Sequence, residues 1–477
     1  MPPSDGSSST TSPYKRLILC EDGTWLNSDS ASLHSSLNIA SNITRLSRAI
    51  KSESADGIPQ ITYYHFGVGS AGSLVDRLRG ATGSGIAEIV REGYAFLGTN
   101  YEEGDEIFIF GFSRGALTAR AIAGLIGDVG LLTKKGLPYL PEVFRDAQHQ
   151  HDDRYRARYP DLPFPGKPSV RDPGYRDELR RRGMTRLKVQ IKVVGVFDTV
   201  GALGVPKIGI LQRLGLQSSA MKDLTFYDTR LSACVENAFQ ALALDERRFA
   251  FQPTLWERGD GNTVLRQVWF PGAHSNIGGG YDDQQIATIT LAWMIAQCLP
   301  FLAFDLNYVL DEWDAVDEFY EEKGERPRPW GFGKILDGLS GIYYGGGVAV
   351  RTPGRYCATD PHNGKPTDDP LEDTHEYIHP VVRARIKLKG PGIDDHGAYE
   401  CKALRNWKLT IDDPEDGRQG VFWRSKPKQK GFTDILPEAP LKPLERELLA
   451  YDQDTCEYIL RPRASRQRRR KRDRRTD

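Results

Sequence analysis

One serine has the surroundings that a catalytic nucleophile needs: Ser113, in the segment Ile109-Phe-Gly-Phe-Ser113-Arg-Gly115. The apolar residues 105–110 before it predict a buried strand, and the small residues 116–126 after it predict a helix. In this strand–turn–helix context, the G-x-S-x-G pattern is typical of serine hydrolases. The sequence therefore predicts that the Ser113 hydroxyl attacks a substrate and forms a covalent intermediate.

Three neighbours of Ser113 support this prediction. Gly111 and Gly115 lack a Cβ, which lets the strand and the helix approach closely and lets the turn take a strained backbone conformation. The backbone N–H of Arg114 would point at the reacting carbonyl oxygen and stabilise its developing negative charge. An ordinary glycine–serine turn at the end of a strand is the alternative interpretation.

A serine nucleophile needs a general base and a carboxylate that orients the base. Asp198 ends the next apolar strand, residues 189–197, and is the predicted acid, because active-site groups of open parallel sheets lie at the carboxyl ends of strands. His274 follows a third strand, residues 264–270, and is the predicted base. His379 is the rival candidate for the base. A turn-capping Asp and a structural histidine are the alternatives at these positions.

A tight turn at Asp22-Gly23-Thr24 follows the first predicted strand. An Asp-x-Asp-Gly-Thr strand end would suggest an aspartyl-phosphate phosphatase, but Cys20 occupies the place of the nucleophilic Asp, which disfavours that chemistry. Asp22 and Gly23 would instead lie near the sheet edge that carries the serine. There they would supply a second oxyanion donor or form a turn closed by the Asp side chain.

The composition is that of a globular protein: 39% of the residues are hydrophobic, 27% are charged and the formal net charge is zero. The whole chain therefore lacks the charge excess of a nucleic-acid-binding protein. Its six cysteines form no CxxC pair, which favours a reducing compartment over a disulfide framework. No HExxH spacing is present either, so we predict no metal and no cofactor. The alternative is a metal site formed by Asp22, Asp198, His274 and Asp282.

Strands that alternate with helices predict an α/β fold, a mostly parallel sheet covered by helices on both faces as in α/β-hydrolases. The predicted strands are residues 16–20, 61–68, 105–110, 189–197 and 264–270. The predicted helices are residues 38–51, 86–97, 116–126, 228–244, 284–298 and 311–323. The apolar stretch 286–306 contains Gln297 and Pro300, so it predicts a buried helix rather than a membrane span.

These elements divide the chain into a catalytic core, residues 14–302, and a C-terminal elaboration packed on it, residues 303–460. Within the core, the Pro- and Arg-rich residues 138–186 indicate an insertion. Residues 1–13 predict a disordered N-terminus without the apolar core of a signal peptide. Residues 461–477 carry a net charge of +8 and predict a disordered basic tail. We therefore expect a cytoplasmic protein, with nuclear import through the tail as the alternative.

Four motifs occur in a characteristic order: Asp22-Gly-Thr-Trp25, Gly111-Phe-Ser-Arg-Gly-Ala116, Phe197-Asp-Thr-Val-Gly201 and Phe270-Pro-Gly-Ala-His274-Ser-Asn-Ile-Gly-Gly-Gly-Tyr281. Together they resemble the catalytic domain shared by bacterial type VI secretion phospholipase effectors and a large set of microbial and fungal proteins. Two later segments extend the resemblance: Arg351-Thr-Pro-Gly-Arg-Tyr356 and Ile378-His-Pro-Val-Val-Arg383. The resemblance implies an α/β-hydrolase core whose Ser-Asp-His triad cleaves ester bonds of phospholipids, with Ser113 as nucleophile and His274 as base.

Two positions depart from the pattern of that family. Asn276 stands where related sequences often have Asp. Some effectors take their acid from the helix after the nucleophile, where this chain offers only Asp128. The assignment of Asp198 as the acid therefore depends on its place at a strand end.

These patterns predict a serine hydrolase that cleaves carboxylic esters, specifically a phospholipase or lipase-like esterase. The alternative is a hydrolase fold that is retained as a binding module with weak or no activity. Arg114 and the Arg-rich residues 154–186 would contact a phosphate head group or form a solvated face. For the basic tail, residues 461–477, the candidate partners are an anionic membrane surface, a nucleic acid and the nuclear import machinery.

Overall fold

The computed structural model describes residues 14–23, 39–67, 85–200, 230–259, 261–339, 347–360, 366–412 and 420–460. The termini predicted to be disordered, residues 1–13 and 461–477, lie outside these ranges.

The strands are β1 (Arg16–Glu21), β2 (Gln60–His65), β3 (Glu106–Phe112), β4 (Leu131–Leu132), β5 (Thr185–Arg186), β6 (Ile191–Phe197), β7 (Asn237–Ala243), β8 (Val264–Phe270), β9 (Cys357–Thr359), β10 (Pro366–Pro370), β11 (Glu376–Ile378), β12 (Trp407–Asp412), β13 (Gly420–Ser425) and β14 (Ile435–Pro437). The helices are α1 (Asn42–Ala49), α2 (Ile86–Asn100), α3 (Arg114–Val129), α4 (Leu140–Gln148), α5 (Pro173–Arg181), α6 (His274–Gly278), α7 (Gln285–Cys298), α8 (Leu306–Glu322), α9 (Pro380–Lys387), α10 (Pro443–Ala450) and α11 (Gln453–Leu460).

A seven-stranded sheet lies at the centre of the fold, and its neighbouring strands are all parallel. The strand order is β11-β8-β7-β6-β3-β1-β2, so β3 lies between β1 and β6. Parallel neighbours need crossover connections, which place helices on the faces of the sheet. The predicted α/β class is confirmed.

Helices cover both faces of this sheet. Alternate residues of β1 point to opposite sides: Leu17 and Leu19 belong to one apolar cluster, and Ile18 and Cys20 belong to the other. Helices α2 and α3 pack on the side of Leu17, while α1 and α7 pack on the side of Ile18. This double cover explains why the strands are continuous apolar runs rather than alternating ones.

One predicted element has the wrong type. The helix predicted at residues 228–244 is wrong, because Asn237–Ala243 form strand β7 between β6 and β8. Its three alanines and one leucine favour a helix by intrinsic propensity. All seven residues are buried and paired with β8, however, and Ala238–Ala241 are also paired with β6; this tertiary environment outweighs the local preference. The other predicted strands and helices form, with ends that differ by a few residues.

The segment after Leu302 shares the core with the sheet. Its strand β11 pairs with β8 and extends the central sheet, while β12, β13 and β14 form a separate antiparallel sheet. Helix α10 packs on α7. Leu404, Leu436 and Leu448 belong to the same apolar cluster as Ile18. Both parts of the chain therefore contribute side chains to one continuous core.

Helix α7 occupies most of the apolar stretch for which we predicted a buried helix. It is buried along its whole length, which confirms that prediction. Within the ranges described above, no helix is both long and apolar enough to cross a membrane. The predicted insertion contains α4 and α5, whose Phe144 and Tyr175 pack in the cluster of Leu17.

Candidate active site

The turn between β3 and α3 contains Ser113, whose backbone has φ 58° and ψ −118°. A positive φ is unfavourable for a residue with a side chain, so this turn is strained. The Ser113 N–H donates to the Phe197 carbonyl (3.1 Å), and the Leu117 N–H donates to the Ser113 carbonyl (3.3 Å). The serine is 8% exposed and lies at the N-terminus of α3, where the helix dipole favours negative charge.

Gly111 and Gly115 lie at points of very close backbone approach. A Cβ on Gly111 would lie 2.4 Å from the carbonyl oxygen of Gly115, and a Cβ on Gly115 would lie 2.1 Å from that of Glu21. Contacts this short exclude any side chain, since both neighbours are backbone atoms. The turn that carries Ser113 therefore lies directly against the end of β1.

The carboxylate of Asp198 and the imidazole of His274 form a hydrogen bond in which Nδ1 lies 2.6 Å from Oδ2. Asp198 follows β6 and is fully buried; His274 begins α6, after β8, and is 4% exposed. The rings of Phe112 and Phe251 contact the imidazole, with centroid distances of 4.7 and 5.0 Å. Because Phe112 immediately precedes Ser113, the imidazole lies against the turn of the predicted nucleophile.

The other ring nitrogen of His274, Nε2, is buried and has no hydrogen-bond partner in the part of the chain that the structure describes. Since Nδ1 faces the ionised carboxylate of Asp198, we assign the proton to Nδ1 and the lone pair to Nε2. A nitrogen in this state can accept a proton from a nearby hydroxyl. The backbone N–H of His274 donates to Oε2 of Glu246 (3.2 Å), which fixes the start of α6.

Burial and charge set the protonation states of this pair. Burial raises the pKa of Asp198, but the Arg351 guanidinium and His274 together lower it by more, so this pKa lies well below its usual range. Burial lowers the pKa of His274, and the Asp198 carboxylate offsets only part of that effect. Near neutral pH, the pair therefore consists of an ionised carboxylate and a neutral imidazole, as general-base catalysis requires.

Arg351 is part of this site, although no role was predicted for it. The only signal was its place in a segment that resembles the family. Its side chain is fully buried; Nη2 lies 2.9 Å from Oδ2 of Asp198, and Nη1 donates to Oδ1. The carboxylate of Asp198 is therefore shared between an imidazole and a guanidinium.

Asp22 is buried at the end of β1, and its carboxylate accepts several hydrogen bonds. The donors are the Gly23 N–H (2.6 Å) and the hydroxyls of Ser41 (2.6 Å), Thr44 (3.1 Å) and Tyr64 (2.5 Å). The Gly23 N–H is thus directed at the Asp22 carboxylate. Of the two predicted roles, this geometry favours a turn closed by the Asp side chain. Thr24 and Trp25 of the same motif lie outside the described residues.

Glu21, the residue before Asp22, is a buried acid without hydrogen bonds in the described ranges. Its side chain is 1% exposed, and neither carboxylate oxygen has a hydrogen-bond partner there. Burial first, and then the negative charges of Glu92 and Asp22, raise the pKa of Glu21 to about 8. Glu21 is therefore protonated at neutral pH, next to the turn that carries the serine.

Replacing Glu21 by glutamine is expected to change how stability depends on pH. The unfolded chain releases this proton near pH 4.5 and the folded chain near pH 8, so rising pH lowers the free energy of unfolding across this window. Glutamine cannot ionise, so Glu21→Gln does not lose stability in this way. The free energy of unfolding of Glu21→Gln minus that of the wild type should therefore be larger at pH 9 than at pH 4, by on the order of a few kcal/mol. Urea unfolding at pH 4 and pH 9 measures this difference, with Glu103→Gln at an exposed position as the control. A difference between Glu21→Gln and the wild type that does not change with pH would contradict the prediction.

His379, the rival base, lies at the N-cap of α9 and is fully buried. Its Nδ1 accepts a hydrogen bond from the Val381 N–H (3.2 Å), and its Nε2 lies 2.9 Å from Oε1 of Glu445. The ring also stacks on Phe270 with a centroid distance of 4.5 Å. Both ring nitrogens are therefore engaged in local structure: Nδ1 caps α9, and Nε2 joins α9 to Glu445 of α10.

The two positions that depart from the family pattern also have local partners. Asn276 accepts a hydrogen bond from the Ala273 N–H (3.0 Å) and donates to the Lys334 carbonyl (2.9 Å). Asp128 accepts a hydrogen bond from the side chain of Gln150 (3.0 Å). The described residues contain no group of three or more His, Cys, Asp or Glu side chains placed to hold a metal ion.

A parallel α/β sheet that carries a serine in a strained strand–helix turn and an Asp–His pair at the same edge defines an α/β-hydrolase-like protein. The chain belongs to the family described as "T6SS, Phospholipase effector Tle1-like, catalytic domain", which matches residues 15–297. The resemblance that four motifs indicated is thereby confirmed.

Similar proteins come from yeast and bacteria. The chain is 30% identical over 260 residues to the uncharacterized protein YEL023C of Saccharomyces cerevisiae; the match covers 51% of this chain and 33% of the relative, so the chain spans about a third of its length. A solved structure of an uncharacterized protein from Pseudomonas aeruginosa has a TM-score of 0.32 and 19% identity, over 60% of this chain and 45% of that one. The structure of the Tle1 effector bound to the VgrG spike from the type 6 secretion system has a TM-score of 0.26 and 21% identity, over 56% and 51%. Both scores are low, so the fold assignment rests on the sheet and helices themselves.

Proposed function

We propose that this chain is a serine esterase that hydrolyses carboxylic ester bonds, with phospholipids as its substrate class. The observation that supports the proposal most is the 2.6 Å hydrogen bond between Asp198 and His274, whose imidazole packs on the residue before Ser113. The family description, a phospholipase effector catalytic domain, supports a lipid substrate.

In the proposed reaction, Nε2 of His274 accepts the proton of the Ser113 hydroxyl while the serine oxygen attacks the ester carbonyl carbon. The backbone N–H of Arg114 and the N-terminus of α3 stabilise the oxyanion that forms. His274 then donates the proton to the leaving alcohol, and the acyl group stays on Ser113. A water molecule, deprotonated by the same imidazole, releases the fatty acid and restores the serine.

Asp198 has two tasks in this reaction. Its hydrogen bond to Nδ1 keeps the imidazole in the tautomer whose Nε2 carries the lone pair, and its negative charge stabilises the imidazolium formed in the transition state. Both tasks require an ionised carboxylate, and the low pKa of Asp198 satisfies this requirement.

A fluorophosphonate probe tests the nucleophile directly, because it reacts with activated serine hydroxyls. We expect the wild-type protein and Ser232→Ala to be labelled, and Ser113→Ala to remain unlabelled. Ser232 is a suitable control since it is half-buried and contacts Cys234 rather than the candidate site. Absence of labelling in the folded wild-type protein, or labelling that persists in Ser113→Ala, would count against the proposal.

The substrate class needs a separate measurement. Release of fatty acid from phosphatidylcholine and phosphatidylglycerol vesicles should depend on Ser113, as should hydrolysis of p-nitrophenyl butyrate. Activity on the small ester alone would retain the esterase and reject the phospholipid substrate.

Because residues 461–477 carry a net charge of +8, we propose an anionic vesicle surface as their partner. Salt-sensitive binding to duplex DNA and not to phosphatidylglycerol vesicles would reject that partner.

A further inference from the structure

Arg351 lies beyond residues 15–297, the part of the chain that matches the catalytic domain of the family, yet it contacts the candidate acid. We propose that Arg351 is a positioning residue for the reaction at Ser113: it holds the Asp198 carboxylate in the orientation that His274 needs. This inference rests on the proposed function. It makes the segment that follows the family's catalytic domain a part of the active site.

The hydrogen bonds around Asp198 support this role. Oδ1 accepts from the Ala243 N–H (2.9 Å) and from Nη1 of Arg351; Oδ2 accepts from Nδ1 of His274 (2.6 Å) and from Nη2 of Arg351 (2.9 Å). Such a bidentate contact fixes the plane of a carboxylate, whereas a single hydrogen bond leaves the carboxylate free to rotate. Arg351 is itself fixed, because it also donates to the carbonyls of Ala243 (2.9 Å) and Phe251 (2.7 Å).

A contribution to stability is a weak explanation for this pair. Removing two charges from water costs about as much as their attraction returns, so a buried ion pair is often no better than an apolar pair. The chain also contains a matched pair: Arg383 contacts Glu438 through Nε (2.7 Å) and Nη2 (3.0 Å), and the Arg383 side chain is 2% exposed. That pair lies in the same C-terminal segment and contacts neither Asp198 nor His274 by any hydrogen bond in the described ranges.

Arg351 also balances the charge that acts on His274. The Asp198 carboxylate and Glu246 favour the protonated imidazole, whereas burial and Arg248 oppose it. Arg351 acts through Asp198, since its guanidinium neutralises the carboxylate that faces Nδ1. Without this cation the Asp198 carboxylate would act more strongly on the imidazole against the effects of burial and Arg248, so we expect His274 to stay protonated to higher pH.

The test compares Arg351→Met, Arg351→Lys and the control Arg383→Met in the full chain. We measure kcat and KM for p-nitrophenyl butyrate as functions of pH, together with the melting temperature. For Arg351→Met we expect kcat to fall about 10²-fold with KM nearly unchanged, because the imidazole is misplaced. We also expect the acidic limb of the pH profile to move up by about one pH unit. Arg351→Lys keeps the charge and loses the planar contact. Its acidic limb should therefore lie at the wild-type pH, whereas its kcat should recover only in part.

Arg383→Met should lower the melting temperature and leave kcat and the pH profile as in the wild type. An unchanged kcat and acidic limb in Arg351→Met would overturn the inference, as would the same changes in Arg383→Met. Should Arg351→Met fail to fold, the kcat of Arg351→Lys decides the question, with a wild-type value against the inference. Activity that persists in Ser113→Ala would instead reject the proposed function.

Discussion

Ser113→Gly is expected to remove nearly all ester hydrolysis and, at the same time, to raise the free energy of unfolding. Without the hydroxyl there is no nucleophile, and such losses in serine hydrolases are on the order of 10⁴- to 10⁶-fold in kcat. Ser113 has φ 58° and ψ −118°, a conformation that glycine adopts without strain. Relief of this strain, less the larger entropy of glycine in the unfolded chain, should stabilise the fold by on the order of 1 kcal/mol.

Ser113→Ala separates the two effects. It loses the hydroxyl, so its activity should be as low as that of the glycine variant, but alanine keeps the Cβ and therefore the strain. Urea unfolding and p-nitrophenyl butyrate hydrolysis of both variants measure the two quantities. A glycine variant no more stable than the alanine variant would show that the turn stores little strain. Activity near the wild-type level in either variant would remove Ser113 from the mechanism.

The strand–turn–helix geometry around Ser113 could be predicted from sequence because its determinants are neighbours in the chain. A buried strand, two glycines and a helix of small residues meet within the few residues around Ser113. Asp198 and His274 could be placed by a topological rule, since parallel strands bring their carboxyl ends to one edge of the sheet. Their hydrogen bond across 76 residues of sequence followed from that rule together with the strand order.

Other features depend on contacts that no local pattern encodes. Strand β7 has the alanine content of a helix, and only its pairing with β6 and β8 makes it a strand. The guanidinium of Arg351 meets Asp198 across 153 residues of sequence, and arginine is among the residues least expected in a core. His379 likewise differs from His274 through its contact with Glu445, 66 residues away, and this contact exists only in the folded chain.

The site therefore draws on more of the chain than its catalytic motifs suggest. The candidate nucleophile, base and acid lie within residues 15–297, whereas Arg351, the partner of the candidate acid, comes from the segment after them. Strand β11 of that segment extends the central sheet. The segment therefore shares one apolar core with β6 and β8, the strands that position Asp198 and His274. We expect that cutting the chain after residue 302 would remove Arg351 from Asp198 and expose apolar surface of the sheet.

Asp198→Asn is expected to lower kcat on the order of 10⁴-fold, because an amide favours the wrong imidazole tautomer and cannot stabilise the imidazolium. The same substitution removes the carboxylate that pairs with the fully buried guanidinium of Arg351. Breaking one side of a buried ion pair typically costs about 3–5 kcal/mol, so the variant should also be much less stable. Arg351→Met leaves the opposite charge unpaired and should be destabilised for the same reason.

The double variant Asp198→Asn/Arg351→Met separates stability from catalysis. With both charges gone, the cost of burying an unpaired charge disappears, so the free energy of unfolding should return to within about 1–2 kcal/mol of the wild type. Activity should not return, since the carboxylate that His274 needs is still missing. Urea unfolding of the four proteins gives the coupling energy, for which we expect on the order of 3 kcal/mol. Additive losses in the double variant would show that the two side chains act independently, and recovered activity would show that Asp198 is not the acid.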